Sequence, residues 1–282
     1  MHFNGAIFDV DGVLVDSPHE RAWRESLERL MTVAWQDLAG KTGYTPEKFT
    51  SAVYQTYVAG KPREAGARAA LEYFGIPDPD GQRLREYCEV KQADLVALIE
   101  RGEFTAFDDA LRFLLDLKAA GVKIGAASSS KNANIFLRKV LLGRFAEMAP
   151  TSSRTAVGER SKPSSPTLQS QPEQGSGSKG YPFVGPETTL LDMFDANVCG
   201  RDFAHGKPHP EIFLTAAQAL GVPPAECVVI EDAQSGVQAA KAGGMACVGV
   251  ARLDDQALLK AASADWVVAS LDELPIAALL GE

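Results

Sequence analysis

The stretch Gly5-Ala6-Ile7-Phe8-Asp9-Val10-Asp11-Gly12 decides how this chain folds. Its apolar first half predicts a buried strand. Asp9 and Asp11 follow two residues apart, and residues i and i+2 of a strand share a face, so both carboxylates can reach one site. Gly12 then lets the chain change direction without a Cβ clash. One carboxylate can act as a covalent nucleophile while a second transfers protons, so the pattern indicates a catalytic site. The alternative is a short acidic loop that binds calcium or is simply solvated.

A second apolar run, residues 122–127, ends in Ser128-Ser129-Ser130 and leads into a helical pattern. Backbone N–H groups at the start of a helix, together with a serine hydroxyl, form a site for an anion. The alternative is that Ser130 or Asn132 only caps the helix.

Two further patterns carry charged side chains. Lys207 lies in Gly206-Lys207-Pro208, just before an amphipathic helical pattern, and its compact cation suits a phosphate or a carboxylate. A lone lysine in a loop is more often solvated. Glu231 and Asp232 end the apolar run 227–230, and such oxygen ligands suit Mg²⁺. Asp232 could instead be a helix N-cap.

The order of these elements predicts an α/β fold. Strand-like runs alternate with helical patterns, which indicates a doubly wound parallel sheet whose site lies at the carboxyl ends of the strands. Residues 17–106 instead have continuous helical spacing, typical of a separate helical bundle inserted into the core. We therefore predict a catalytic core of residues 1–16 and 107–282. The strand-like runs lie near residues 4–9, 122–128, 195–199, 226–230, 246–250 and 265–268.

Taken in chain order, the four patterns resemble the four motifs of the haloacid dehalogenase superfamily, a family of aspartate-dependent phosphotransferases. The resemblance implies a Rossmann-like core in which Asp9 is the nucleophile and Asp11 the general acid and base. It also implies that Ser128, the Ser129 N–H and Lys207 neutralise the transferring phosphoryl group.

The same resemblance implies a Mg²⁺ cofactor. Its ligands would be Asp9, Asp232 and the backbone carbonyl of Asp11, with Glu231 helping through a water molecule.

Residues 17–106 resemble the cap domain of the β-phosphoglucomutase-like branch of the superfamily. Ser130-Lys131-Asn132 and the loop containing Arg63 are similar to the segments that hold the non-reacting phosphate of a bisphosphate intermediate there. Lys91 and His19 are similar to cap and hinge residues near the sugar, although the segment after Asp16 is about two residues shorter than in that branch. The alternative for Arg63 and Lys131 is a pair of ordinary surface charges.

These resemblances imply a Mg²⁺-dependent sugar-phosphate mutase, with a small-molecule phosphatase as the main alternative. In the phosphatase, water would attack the same aspartyl phosphate that the mutase forms. A third hypothesis is a binding protein without catalysis. The presence of Asp9, Asp11 and Lys207 argues against it.

Composition limits the partners. The chain has 282 residues, of which 28 are basic and 37 acidic, and its net charge of −9 argues against nucleic acid or an anionic membrane. We therefore expect a small phosphorylated metabolite as substrate and a monomer or weak oligomer. The four cysteines are scattered, and the sequence has no signal-peptide pattern and no apolar run near 18 residues, which favours a cytoplasmic location.

Residues 150–190 form a predicted insert in the core. Much of this stretch is rich in Ser, Pro, Gln and Gly, a composition that cannot bury a core, so we expect a flexible loop. Because the preceding helix leads away from the carboxyl ends of the strands, the loop should lie far from the chemistry.

Overall fold

The computed structural model describes residues 2–146 and 180–281. Within them, a parallel sheet has the strand order β5-β4-β1-β6-β7-β8. The strands are β1 (Gly5–Phe8), β2 (Val15–Asp16), β3 (Thr105–Ala106), β4 (Lys123–Ala126), β5 (Ala196–Asn197), β6 (Cys227–Glu231), β7 (Ala246–Val250) and β8 (Trp266–Val268). Since β1 lies between β4 and β6, the ends of these three strands meet at one edge of the sheet.

Helices cover both faces of the sheet. Neighbouring residues of β1 point to opposite sides, so Phe8 joins one apolar cluster and Ile7 the other. The helices are α1 (His19–Arg29), α2 (Ser51–Val53), α3 (Arg63–Tyr73), α4 (Gln82–Glu100), α5 (Asp108–Ala119), α6 (Ala133–Lys139), α7 (Glu211–Leu220), α8 (Gln234–Ala242), α9 (Gln256–Ala261) and α10 (Ala277–Leu280). No helix among the described residues is long and apolar enough to cross a bilayer.

A third apolar cluster lies in the inserted segment. Its buried members, which include Trp23, Phe74 and Tyr87, all come from the stretch between β2 and β3. The chain enters and leaves this segment through the antiparallel pair of β2 with β3. A helical cap with its own core, inserted into a doubly wound sheet, confirms the predicted fold class.

The predicted insert 150–190 is only partly described. Residues up to 179 lie outside the described part of the chain, but residues 180–190 are ordered against the core. Tyr181 is 1% exposed and its hydroxyl donates to Asp116 at 2.7 Å, while Leu190 is fully buried. The prediction of a flexible loop is therefore wrong for this end of the insert, because the polar composition stops at Gly180 and apolar residues follow.

The position of Tyr181 also shows which end of the sheet it occupies. Its partner Asp116 lies one turn before α5 ends, and α5 leads into the amino end of β4. Asp9 follows the carboxyl end of the neighbouring strand β1. Tyr181 therefore packs at the end of the sheet opposite to Asp9.

Replacing residues 150–177 by a short Gly/Ser linker should leave turnover close to that of the full chain. The reason is that loop length changes closure entropy only slowly, by about 0.6 kcal/mol per doubling. Steady-state kinetics and a melting curve would measure this. A control deletion extended through Val184 removes buried side chains and should lower the melting temperature. A large loss of turnover in the well-folded shorter deletion would contradict the placement of the insert.

Candidate active site

The carboxyl ends of β1, β4 and β6 bring the predicted catalytic residues together. Asp9 continues from β1, and its N–H donates to the carbonyl of Ile230 at 3.0 Å, which keeps it in register with β6. Glu231 ends β6, and Ser128 lies two residues beyond the end of β4. Asp9 is 6% exposed and Glu231 is 1% exposed, so these acids lie beneath the surface.

Lys207 is the cation of this cluster. Its Nζ donates to Asp9 Oδ1 at 2.6 Å and to Glu231 Oε1 at 2.5 Å, and its side chain is 7% exposed. Burial alone would lower the pKa of Lys207, but the two carboxylates raise it above its usual value. The reading of Lys207 as a solvated loop lysine is therefore wrong.

The acidic side chains outnumber the cation. Burial, reinforced by Glu231 and Asp11, raises the pKa of Asp9 to about 7 even though Lys207 opposes the shift. Desolvation and the charges of Glu231 and Asp9 raise the pKa of Asp232 well above its usual range. A buried excess of negative charge is stabilised by a cation.

The donor set around these acids fits Mg²⁺. The groups available are carboxylate oxygens, which a hard divalent ion prefers. Gly12 lets Asp232 reach this place, because a Cβ at residue 12 would lie 1.9 Å from Asp232 Oδ2. Glu231 is held by the N–H of Ala233, which donates to Oε2 at 2.8 Å.

Asp11 and Ser128 form a second group of polar side chains beside the carboxylate cluster. Ser128 Oγ donates to Asp11 Oδ2 at 3.3 Å and accepts the N–H of Ser130 at 3.1 Å. Asp11 Oδ1 is buried and has no hydrogen-bond partner among the described residues, and His19 Nε2 lies 3.5 Å from it. Ser129 is exposed at the same strand end.

The cap places basic side chains over Asp11 and Ser128. Lys91 is 2% exposed, and its Nζ lies 3.0 Å from His19 Nδ1 and 4.9 Å from the centre of the Trp23 ring. The other ring nitrogen of His19 lies 3.5 Å from Ser130 Oγ. Burial and then the charge of Arg63 lower the pKa of Lys91 to about 7. Burial and then Lys91 lower the pKa of His19 to about 4, so His19 is neutral at neutral pH.

Asn132 and Lys131, which the sequence paired, separate in the structure. Asn132 is buried and joins core to cap: it accepts from Gln92 Nε2 at 2.7 Å and donates to Gln92 Oε1 at 3.2 Å. The Lys131 ammonium instead donates to the carbonyl of Gly200 at 2.9 Å and to the carboxylate of Asp202. Its side chain is 46% exposed. The structure does not bring Lys131 to the other predicted phosphate ligands, because Asp202 engages its charge at the surface.

Sequence reasoning missed Gln92. Its partner lies 40 residues away, and no local pattern marks a pair that forms only when cap and core meet. The loop before α3 also approaches the core: a Cβ at Gly60 would lie 3.4 Å from Ser235 Oγ, and one at Gly206 would lie 3.7 Å from the ring of Pro62. The cap therefore rests on the core at several points around Asp9.

Comparison with known proteins agrees with this geometry. A β-phosphoglucomutase from Mycobacterium bovis is 30% identical over 95% of this chain and 90% of its own length. A validoxylamine A 7'-phosphate phosphatase from Streptomyces hygroscopicus is 26% identical over 95% and 94%. The crystal structure of an archaeal β-phosphoglucomutase from Pyrococcus has a TM-score of 0.62 and 28% identity, covering 98% of this chain and 97% of that one.

The family model for haloacid dehalogenase-like hydrolases matches residues 3–169 and 177–244. That match contains the strand ends that carry Asp9, Ser128 and Asp232, and the loop before α7 that carries Lys207. A capped α/β core with these side chains at one sheet edge belongs to a phosphoryl-transfer enzyme, and the chain is a member of the haloacid dehalogenase superfamily, in its β-phosphoglucomutase-like branch.

Proposed function

We propose that this protein is a Mg²⁺-dependent sugar-phosphate mutase that interconverts β-glucose 1-phosphate and glucose 6-phosphate through an aspartyl phosphate. The main support is the pair of basic side chains that the cap contributes, Lys91 and Arg63. Lys91 is buried, and after burial itself the positive charge of Arg63 lowers the pKa of Lys91 most. Lys91 Nζ forms a hydrogen bond with the neutral ring of His19. A substrate phosphate bound to Arg63 would offset the repulsion between the two charges, which is the task of a second phosphate site.

The reaction would begin at Asp9. Its carboxylate attacks one phosphorus of a sugar bisphosphate, so that an O–P bond to Asp9 forms while the bond from that phosphorus to the sugar oxygen breaks and a sugar monophosphate leaves. Asp11 gives its proton to that oxygen as it leaves. Lys207 fixes the Asp9 carboxylate through its 2.6 Å bond.

The transferring group gathers negative charge, and its stabilisation dominates phosphoryl transfer. Lys207, the Ser128 hydroxyl and the Ser129 N–H supply donors for it. Asp9, Asp232 and the Asp11 carbonyl would hold Mg²⁺, with Glu231 acting through water, and the ion would neutralise charge on the phosphoryl oxygens.

A mutase must then return the phosphoryl group to a different oxygen. The free hydroxyl of a sugar monophosphate attacks the phosphorus of phospho-Asp9, the bond from that phosphorus to Asp9 breaks, and Asp11 accepts the proton. The bisphosphate formed in this step then turns end for end, so that its other phosphate meets Asp9. Arg63, Ser130 and Asn132 would hold the phosphate that is not reacting, while His19 and Lys91 would lie near the sugar. The Asn132–Gln92 pair and the cap loop close the cleft, which protects the phosphoenzyme from water.

A small-molecule phosphatase is the second candidate. The similarity to a validoxylamine phosphatase favours it, since that relative spans nearly the same length as the mutases. Both reactions use the same phosphoenzyme, and they differ in whether water or a second hydroxyl attacks it. The substrate in either case is a small phosphorylated metabolite.

Arg63→Ala should separate the two candidates. Losing one charge-assisted pair in a closed cleft costs about 1.5–3 kcal/mol, so the affinity for glucose 1,6-bisphosphate should fall roughly 10- to 100-fold. Transfer to Asp9 from acetyl phosphate, which carries one phosphate, should change little. Steady-state kinetics with each donor measures both. Arg68→Ala, an exposed arginine on the same helix α3, is the matched control.

Equal losses with both donors, together with steady release of free phosphate by the unmodified protein, would favour the phosphatase. The products are distinguished by assaying glucose 6-phosphate and inorganic phosphate in the same reaction.

Removal of the divalent ion should abolish activity. An excess of chelator is expected to stop turnover, and Mg²⁺ added back beyond the chelator should restore it, because the buried carboxylates of Asp9 and Asp232 need a counter-ion. The phosphate-release or isomerisation rate before and after addition measures this. Undiminished turnover in chelator would exclude a metal at this site.

A further inference from the structure

A second group of metal-binding side chains lies outside the carboxylate cluster. His205, His209 and Glu211 each offer a ligand atom, and these atoms all lie within 4.8 Å of one another. We propose that this triad is a site for a transition-metal ion of the Zn²⁺ class. The proposal is independent of whether the enzyme is a mutase or a phosphatase.

The triad is already partly organised. His205 Nδ1 lies 3.5 Å from Glu211 Oε2, and the rings of His205 and His209 are 4.4 Å apart at an angle of 32°. Glu211 is fixed by two backbone N–H groups, those of Ala204 at 3.3 Å and His205 at 2.9 Å. Those bonds orient the carboxylate in the way that outer hydrogen bonds orient a metal ligand.

The donor atoms select the metal. Two imidazoles and a carboxylate suit Zn²⁺, Ni²⁺ or Cu²⁺, whereas Mg²⁺ prefers oxygen ligands alone. Both histidines are exposed, so water can complete the coordination sphere. The two metal sites of the protein would thus differ in preference, one all-oxygen and buried, the other nitrogen-rich and open.

The site borders the catalytic cation. Lys207 lies between His205 and His209 in the sequence, and its ammonium holds Asp9 and Glu231. A metal bound to the triad would tie together the backbone on both sides of Lys207. Occupancy should therefore reduce turnover, because it restrains the loop that positions this ammonium.

Calorimetric titration of the untagged full-length protein with Zn²⁺, in saturating Mg²⁺, tests the site. Saturating Mg²⁺ blocks the carboxylate cluster, and a Cys88→Ser background removes the half-buried thiol as a competitor. We expect one Zn²⁺ per chain. His205→Ala and His209→Ala should each weaken binding roughly 10-fold or more, since loss of an outer-shell partner alone costs that much. His2→Ala, which removes an exposed histidine bonded to the carbonyl of Leu280, should bind like the parent protein.

Turnover is measured in the same Zn²⁺ series. In the parent protein it should fall over the concentrations at which the triad fills, and in His205→Ala the fall should shift to at least roughly 10-fold higher Zn²⁺. Absence of Zn²⁺ binding to the parent, or unchanged binding in both triad variants, would overturn the site. Binding at the triad with unaltered turnover would overturn its link to Lys207.

Discussion

Asp9→Asn is expected to lower turnover by at least about four orders of magnitude, the scale of loss when a covalent nucleophile is removed. Asparagine keeps the shape of the side chain, but its amide neither attacks phosphorus nor carries the charge that Lys207 holds at 2.6 Å. Intact-mass measurement after mixing with acetyl phosphate should show one added phosphoryl group on the parent protein and none on the variant. Asp37→Asn, an exposed cap acid, is the control.

The same variant should keep the fold. Because burial raises the pKa of Asp9 to about 7, the charged carboxylate opposes folding increasingly as pH rises from its unfolded value of about 3.9 toward 7. Asparagine has no such cost, so in chelator at about pH 8 the variant should melt no lower than the parent. This advantage should shrink as the pH falls toward 4. Near-normal turnover in a folded Asp9→Asn protein would refute the aspartyl-phosphate mechanism.

The parallel core could be predicted from sequence because its strands are buried on both faces. Such strands appear as continuous apolar runs, and the run 226–230 corresponds to β6 at Cys227–Glu231. The strands β2 and β3 could not be predicted in this way. Each has two residues, too few to form a pattern, and they pair only because the cap begins and ends there.

The candidate site also has a part that the sequence predicts and a part that it does not. Asp9, Ser128 and Glu231 were predictable because each lies at the end of a strand or within two residues of it, and parallel strands end at a common edge. Contacts between segments that are distant in the sequence were not predictable. Gln92 meets Asn132 only across the closed cap, and Lys131 is drawn to Asp202 by a contact 71 residues away. Local sequence carries no signal for such long-range choices between partners.

Gly12→Ala tests whether Asp232 holds the metal. A Cβ there would lie 1.9 Å from Asp232 Oδ2 and 2.4 Å from its Cγ, so the carboxylate must move away from the turn after β1. Displacing a metal ligand should weaken Mg²⁺ binding at least as much as removing a hydrogen-bond partner of that ligand does. We therefore expect the Mg²⁺ concentration for half-maximal turnover to rise roughly 10-fold or more.

The variant also has a backbone cost that must be separated from the metal effect. Gly12 has φ +84°, in the left-handed region, where a side chain costs about 1–2 kcal/mol. Gly121 has φ +85°, and a Cβ there meets no described atom within 4 Å. Gly121→Ala should therefore lower the melting temperature by a comparable amount while leaving the Mg²⁺ requirement unchanged. If Gly12→Ala melts like this control and still reaches half-maximal turnover at the parent's Mg²⁺ concentration, Asp232 does not hold the metal, and the oxygen ligands must come from elsewhere in the cleft.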